Sequence, residues 1–132
     1  MFRSLLSSKP YSINLSLLLL RLMAGSFMLV HGWPKLTNFS ALAENFNPIG
    51  IGNELSLALV VFAEVFCSLL IILGLFTRLA LIPAIINMLV AVFVAHGSDP
   101  FSKKELGLFF LISYIILFLT GPGKYAIGGR KS

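Results

Sequence analysis

The sequence predicts an all-α membrane protein: a four-transmembrane-helix bundle with both termini cytoplasmic and a short interfacial helix between spans one and two. Three observations predict it. The chain is 58% hydrophobic and only 11% charged, with a mean hydropathy of +0.96. A soluble domain carries nearer a quarter charged residues, enough to cover its core. Four apolar runs, about 14–33, 55–76, 79–96 and 105–121, each hold roughly 17–22 residues, which at ~1.5 Å per residue matches a ~30 Å hydrocarbon layer. The basic residues sit between those runs, not in one stripe. That pattern excludes a nucleic-acid surface despite the net charge of +5, and reads as topological charge at membrane edges. With 132 residues, one domain over 1–132 is expected.

Residues 1–13 are a short polar lead, with Ser12 placed to cap span one. Arg3 and Lys9 before an apolar run resemble a secretory signal, but Arg21 interrupts that run and no A-x-A site closes it, so a retained helix is expected. Residues 34–54 form the one long connection. Phe39, Leu42, Ala43 and Phe46 recur there at helical spacing, and Asn47-Pro48-Ile49-Gly50 reads as a turn. Thr77-Arg78 joins spans two and three, with Thr77 the expected N-cap. Ser102 and Glu105 have the S-x-x-E spacing of a capping box opening span four. Gly121-Pro122-Gly123 ends that span. Arg3, Lys9, Arg78, Lys124, Arg130 and Lys131 fall on one side and Lys35, Lys103 and Lys104 on the other, which places both termini in the cytoplasm.

Each span carries a polar residue near its middle: Arg21, Glu64, Asn87 and Tyr114. An ionisable side chain inside a span is expensive, so it has a partner or a wet cavity. Counting ~1.5 Å per residue, Arg21 lies ~10 Å and Glu64 ~16 Å from the cytoplasmic edge, within reach of a snorkelling arginine. At ~100° per residue, Arg21 shares a face with Gly25, Met28 and Gly32, and Glu64 with Ser68. Small residues there allow close helix approach. The expectation is an Arg21–Glu64 ion pair in the bundle interior, with Asn87 and Tyr114 completing the network. The competing expectation is that these groups serve packing alone.

His31, Lys35, His96 and Glu105 fall near the non-cytoplasmic span ends. Histidine, lysine and carboxylate together suit binding and protonation of a quinone headgroup or another polar ligand. They also suit unrelated interface positions. His96 and Glu105 point ~180° from the central polar residue of their own helices if those helices are regular, whereas His31 and Lys35 border the Arg21 face. His31 and His96 are the chain's only histidines, and their opposed facing argues against a haem b held between them. No metal site is expected. Tyr11 and Trp33 sit where an aromatic belt would lie. Cys67, the single cysteine, forms no internal disulfide and reads as a small buried hydrophobe. Walker, G-x-S-x-G and H-E-x-x-H motifs are absent.

Over about 15–127 the chain resembles the DoxX family of small membrane proteins. The resemblance rests on Arg21 with His31-Gly32 and Lys35, on Glu64 followed by Gly74-Leu75-Phe76-Thr77-Arg78, on His96 and Glu105, and on Gly121-Pro122-Gly123-Lys124-Tyr125. The family typically has two glycines three and four residues after the acid, where this chain has Cys67 and Ser68, and often an aspartate where it has Gly128. The resemblance implies a four-span bacterial inner-membrane protein. Some relatives are subunits of quinone-linked oxidoreductases, including a thiosulfate:quinone oxidoreductase, and others act in membrane-associated oxidative-stress complexes. Quinone is the implied cofactor, and a soluble or membrane oxidoreductase subunit the implied partner beside the lipid bilayer. A non-catalytic interaction protein or small-solute transporter is the alternative.

Overall fold

The computed structural model describes residues 5–128, and they are all-helical, without strands. Helix α1 spans Ile13–Thr37. Ser12 caps it, its hydroxyl oxygen accepting from the Leu15 amide at 3.1 Å. The helix runs through Pro34 and past residue 33, where the apolar run was expected to end. Asn38 closes it by donating its backbone and side-chain N–H groups to the Pro34 carbonyl. The connecting helix α2 is short, Phe39–Ala43, and buries Ala43. In the turn that follows, the Asn47 side-chain oxygen accepts from the Gly52 amide at 3.0 Å.

Helix α3 covers Asn53–Leu73 and α4 covers Thr77–Ala95. Each contains one π-helical segment, Phe62–Phe66 in α3 and Ala91–Ala95 in α4. Gly74 ends α3 in the left-handed conformation at φ 70°, and the Leu75 amide reaches back to the Leu70 carbonyl. Phe76 is the N-cap of α4, not Thr77, and is the one non-glycine with positive φ among the described residues. Thr77 is buried one residue inside, with its hydroxyl unpartnered. Helix α5 spans Phe101–Thr120 behind Pro100, with no side-chain cap. Ser102 is therefore already helical, and the expected capping box is not formed. Pro100 takes the N-cap place in extended backbone, and the helix starts two residues earlier than a Ser102 cap would start it.

Helix α1 packs on α3, α3 on α4, α4 on α5, and α5 returns to α1. Leu17, Ala24, Met28, Ile71, Leu81, Leu111 and Leu117 fill the centre. The outward faces are also apolar: Phe27 and Val30 on α1, Phe66 on α3, Phe93 on α4, Phe109 and Leu119 on α5 all stand exposed. A water-soluble bundle would not leave so much apolar surface open; a lipid-covered one requires it. Helices α1, α3 and α4 are long and apolar enough to cross a membrane. Helix α5 carries Lys103, Lys104 and Glu105 near its start, so its uncharged stretch is only 106–120, about 22 Å. Arg3, Arg130 and Lys131, half of the basic excess assigned to the cytoplasmic side, lie outside the described residues.

The α1–α3 contact is tight because glycines line it. A β-carbon on Gly32 would sit 2.6 Å from the Glu64 β-carbon and 2.9 Å from its carbonyl carbon, and one on Gly25 would sit 3.0 Å from the Ser68 carbonyl oxygen. Gly32→Ala forces the two helices apart at Glu64. That strain exceeds the ~1 kcal/mol alanine gains in helix propensity, leaving an expected net loss of about 1–2 kcal/mol. A melting curve in detergent measures it.

Candidate functional site

The expected Arg21–Glu64 pair does not form. Gly32, not Arg21, lies against Glu64, and the two positions are eleven residues apart, ~16 Å along α1. Helix α1 is shifted along α3 relative to the even alignment of span edges assumed from sequence. Arg21 is instead fully buried against the C-terminal end of α3. Its Nη1 donates to the Ile72 carbonyl at 3.0 Å and to the Ile71 carbonyl at 3.3 Å, and its Nη2 donates to the Tyr125 carbonyl. Those carbonyls carry the negative end of the helix dipole, which stands in for a carboxylate. The chain beyond α5 folds back to complete the cage: the Ile127 and Gly128 amides donate to the Leu73 and Gly74 carbonyls at 3.0 Å each, and the Lys124 amide to the Asn14 side chain at 2.9 Å. A side chain at Gly74 would collide with both Ala126 and Arg21.

Glu64 takes a different cation. Lys35 Nζ donates to Oε1 at 2.7 Å, and Asn87 Nδ2 donates to Oε2 at 2.9 Å. Glu64 is only 3% exposed, while the Lys35 side chain is 34% exposed. Glu64 lies within the π-helical segment of α3, an arrangement that recurs at functional sites in membrane and soluble helices alike. The Tyr114 hydroxyl is fully buried with no hydrogen-bond partner and lies within electrostatic range of Glu64.

Glu64 and Lys35 form one wall of a cavity of about 190 Å³ at this end of the bundle. His31 joins them from α1, His96 from the end of α4, and Lys103 and Lys104 from the start of α5; Met28, Met88 and Phe110 line its apolar side. The His31 ring stands edge-on to Phe110, with centroids 5.8 Å apart. Three of the four residues expected at the outer ends, His31, Lys35 and His96, thus share one cavity. Glu105 does not; it is exposed elsewhere on α5. The opposed facing expected for His96 is removed by the π segment Ala91–Ala95, whose wider turn rotates the helix end. A haem macrocycle does not fit this volume, which lies below the ~300–1,000 Å³ of sites for larger ligands.

His96 also contacts Asp99, Nδ1 to Oδ2 at 2.7 Å, and Lys104 Nζ donates to the Gly97 carbonyl. The His96 hydrogen bond, aided by the positive charge of His96, Lys103 and Lys104, holds the Asp99 carboxyl below the usual carboxylate range. A depressed folded-state pKa contributes stability above the unfolded value and loses it as pH falls through the folded one. The melting difference between wild type and Asp99→Asn should therefore close progressively as pH falls below about 4.

A second cavity, about 330 Å³, opens on the other side of the Glu64–Asn87 contact. Pro48, Ile49 and Ile51 of the long connection, Leu59 and Phe62 of α3, and Ile82 and Ile86 of α4 give it an almost wholly apolar lining, with Asn87 on its wall.

Compared with known proteins, the sequence model of the DoxX family matches residues 16–97, from the start of the first apolar helix to the end of the third. The chain belongs to the DoxX family. No curated protein and no solved structure gives a match. The DoxX match spans His31, Lys35, Glu64, Asn87 and His96, so all but the α5 contributions to the charged cavity lie within it. As a DoxX protein with three apolar helices of spanning length, this is a membrane protein.

Proposed function

We propose that this DoxX protein is a four-span bundle of the bacterial inner membrane, termini in the cytoplasm, whose charged cavity holds the headgroup of a quinone. It would serve as a subunit or anchor of a quinone-linked oxidoreductase or oxidative-stress complex. One observation carries the proposal: His31, Lys35, Glu64 and His96, from three apolar helices, converge on a single cavity at the end of the bundle. A headgroup needs hydrogen-bond donors for its carbonyl oxygens and an apolar face for its ring. Lys35 and His31 supply the donors, and Met28, Met88 and Phe110 the face. Glu64 orients Lys35.

The purified protein in detergent tests this. A short-chain ubiquinone analogue should raise the melting temperature of wild type, and His31→Ala should abolish the rise. No response to quinone analogues in wild type overturns the proposal. A second reading, passage of a small solute, draws on two cavities separated by the Glu64–Asn87 contact, Glu64 lining one and Asn87 the other. Quinone-insensitive protein that moves a solute in vesicles would favour it.

A further inference from the structure

We propose that Lys35 and Glu64 are an exchangeable pair that couples binding of an anionic ligand oxygen to uptake of one proton. The inference rests on the charged cavity being a ligand site.

The groups around Glu64 can be taken element by element. Helix α1 supplies Lys35, bonded to Oε1, and His31 beside it. From α4 come Asn87, bonded to Oε2, and His96 at the cavity rim. Helix α5 contributes Lys103 and Lys104 across the cavity and the buried Tyr114 hydroxyl. Cys67, one turn along α3, is buried. Counting fixed charges at the cavity, three lysines stand against two carboxylates, Glu64 and Asp99, an excess of one positive charge before either histidine is protonated. Such a cavity favours an anion.

The two partners of the ion pair are not equally placed. Lys35 is a third open to the cavity and sits on a flexible four-carbon stem. Glu64 is sealed between helices. When an anionic oxygen enters, Lys35 has somewhere to go and Glu64 does not. The ammonium moves from Oε1 to the ligand. A carboxylate left buried without its cation costs several kcal/mol, and it takes a proton instead. Asn87 still donates, more weakly, to the carbonyl oxygen of a neutral carboxyl, so Glu64 keeps its position. Charge balances: one ligand anion and one proton enter, Lys35 stays protonated, and the net charge of the site is unchanged.

The probes are 2-hydroxy-1,4-naphthoquinone, ionised at neutral pH, sulfate, and neutral 1,4-naphthoquinone. Binding to the full chain is followed in weakly buffered detergent with a pH-indicating dye. The expected result is about one proton taken up per bound anion, none with the neutral quinone, and anion affinity falling by up to about tenfold per unit rise in pH. Uptake with hydroxynaphthoquinone alone marks an anionic headgroup as the ligand; uptake with sulfate alone marks a free oxyanion. Glu64→Gln should bind anions with no proton uptake. Should that variant fail to fold, Lys35→Met serves: Glu64 is then already neutral, so uptake is absent and anion affinity drops at least tenfold. Anion binding to wild type without proton uptake overturns the proposal. If neutral quinone binds and the anions do not, the proposal falls and the headgroup site stands. Anion-coupled uptake without neutral quinone binding gives the reverse. Binding of none of the three ends both.

Discussion

Arg21→Met is expected to lower stability in detergent by about 2–4 kcal/mol and to expose the segment after α5 to protease. Methionine matches the arginine stem in bulk but donates nothing. The carbonyls of Ile72 and Tyr125 would lose the guanidinium donor, while the Ile71 carbonyl would keep the Gly74 amide. Each stranded acceptor costs about 1–3 kcal/mol. Against this, removing a buried charge recovers part of its desolvation cost. The balance stays unfavourable because the arginine charge is already offset by the dipole at the end of α3, whereas the stranded carbonyls would have no substitute. Arg21→Lys should fall between, since one ammonium cannot span carbonyls on two separate segments as a planar guanidinium does. A melt unchanged by Arg21→Met, with the tail still protected, would show that the cage does not hold the fold.

The second large effect is expected at Lys35 and Glu64. Breaking a fully buried pair from one side costs about 3–5 kcal/mol. Here Lys35 is freed toward an open cavity, so Glu64→Ala should cost less, about 2 kcal/mol. Lys35→Met should cost a similar amount, limited by protonation of the abandoned carboxyl. Removing both should cost clearly less than the sum, with a coupling of about 1–3 kcal/mol in the double-mutant cycle. Simple additivity would mean that the 2.7 Å contact contributes nothing to the folded state.

Much of the frame was legible in the sequence, and the partners were not. Apolar runs announce the helices because lipid leaves the backbone few alternatives. Ser12 was recognisable as a cap from its chemistry, and Gly25 and Gly32 as a close-approach face from their spacing. The partners of Arg21 are hidden from the sequence for a physical reason. Sequence displays carboxylates, but the carbonyls that satisfy it belong to every residue and have no signature. Which cation meets Glu64 is hidden too, because the axial shift between α1 and α3 depends on where α1 ends, and α1 continues through Pro34. The π segments were invisible: one extra residue in a helical turn leaves composition and periodicity almost untouched. Yet Ala91–Ala95 is what turns His96 into the cavity.

The bond between Arg21 and Tyr125 joins positions 104 residues apart. A ribosome delivers the first of these long before the second. Until the final segment is made and tucks beneath the third helix of the chain, the guanidinium lacks its Tyr125 acceptor. The first crossing to be synthesised is thus the last to be completed, and a chain cut short before Tyr125 would leave a charged vacancy at the heart of an otherwise finished bundle.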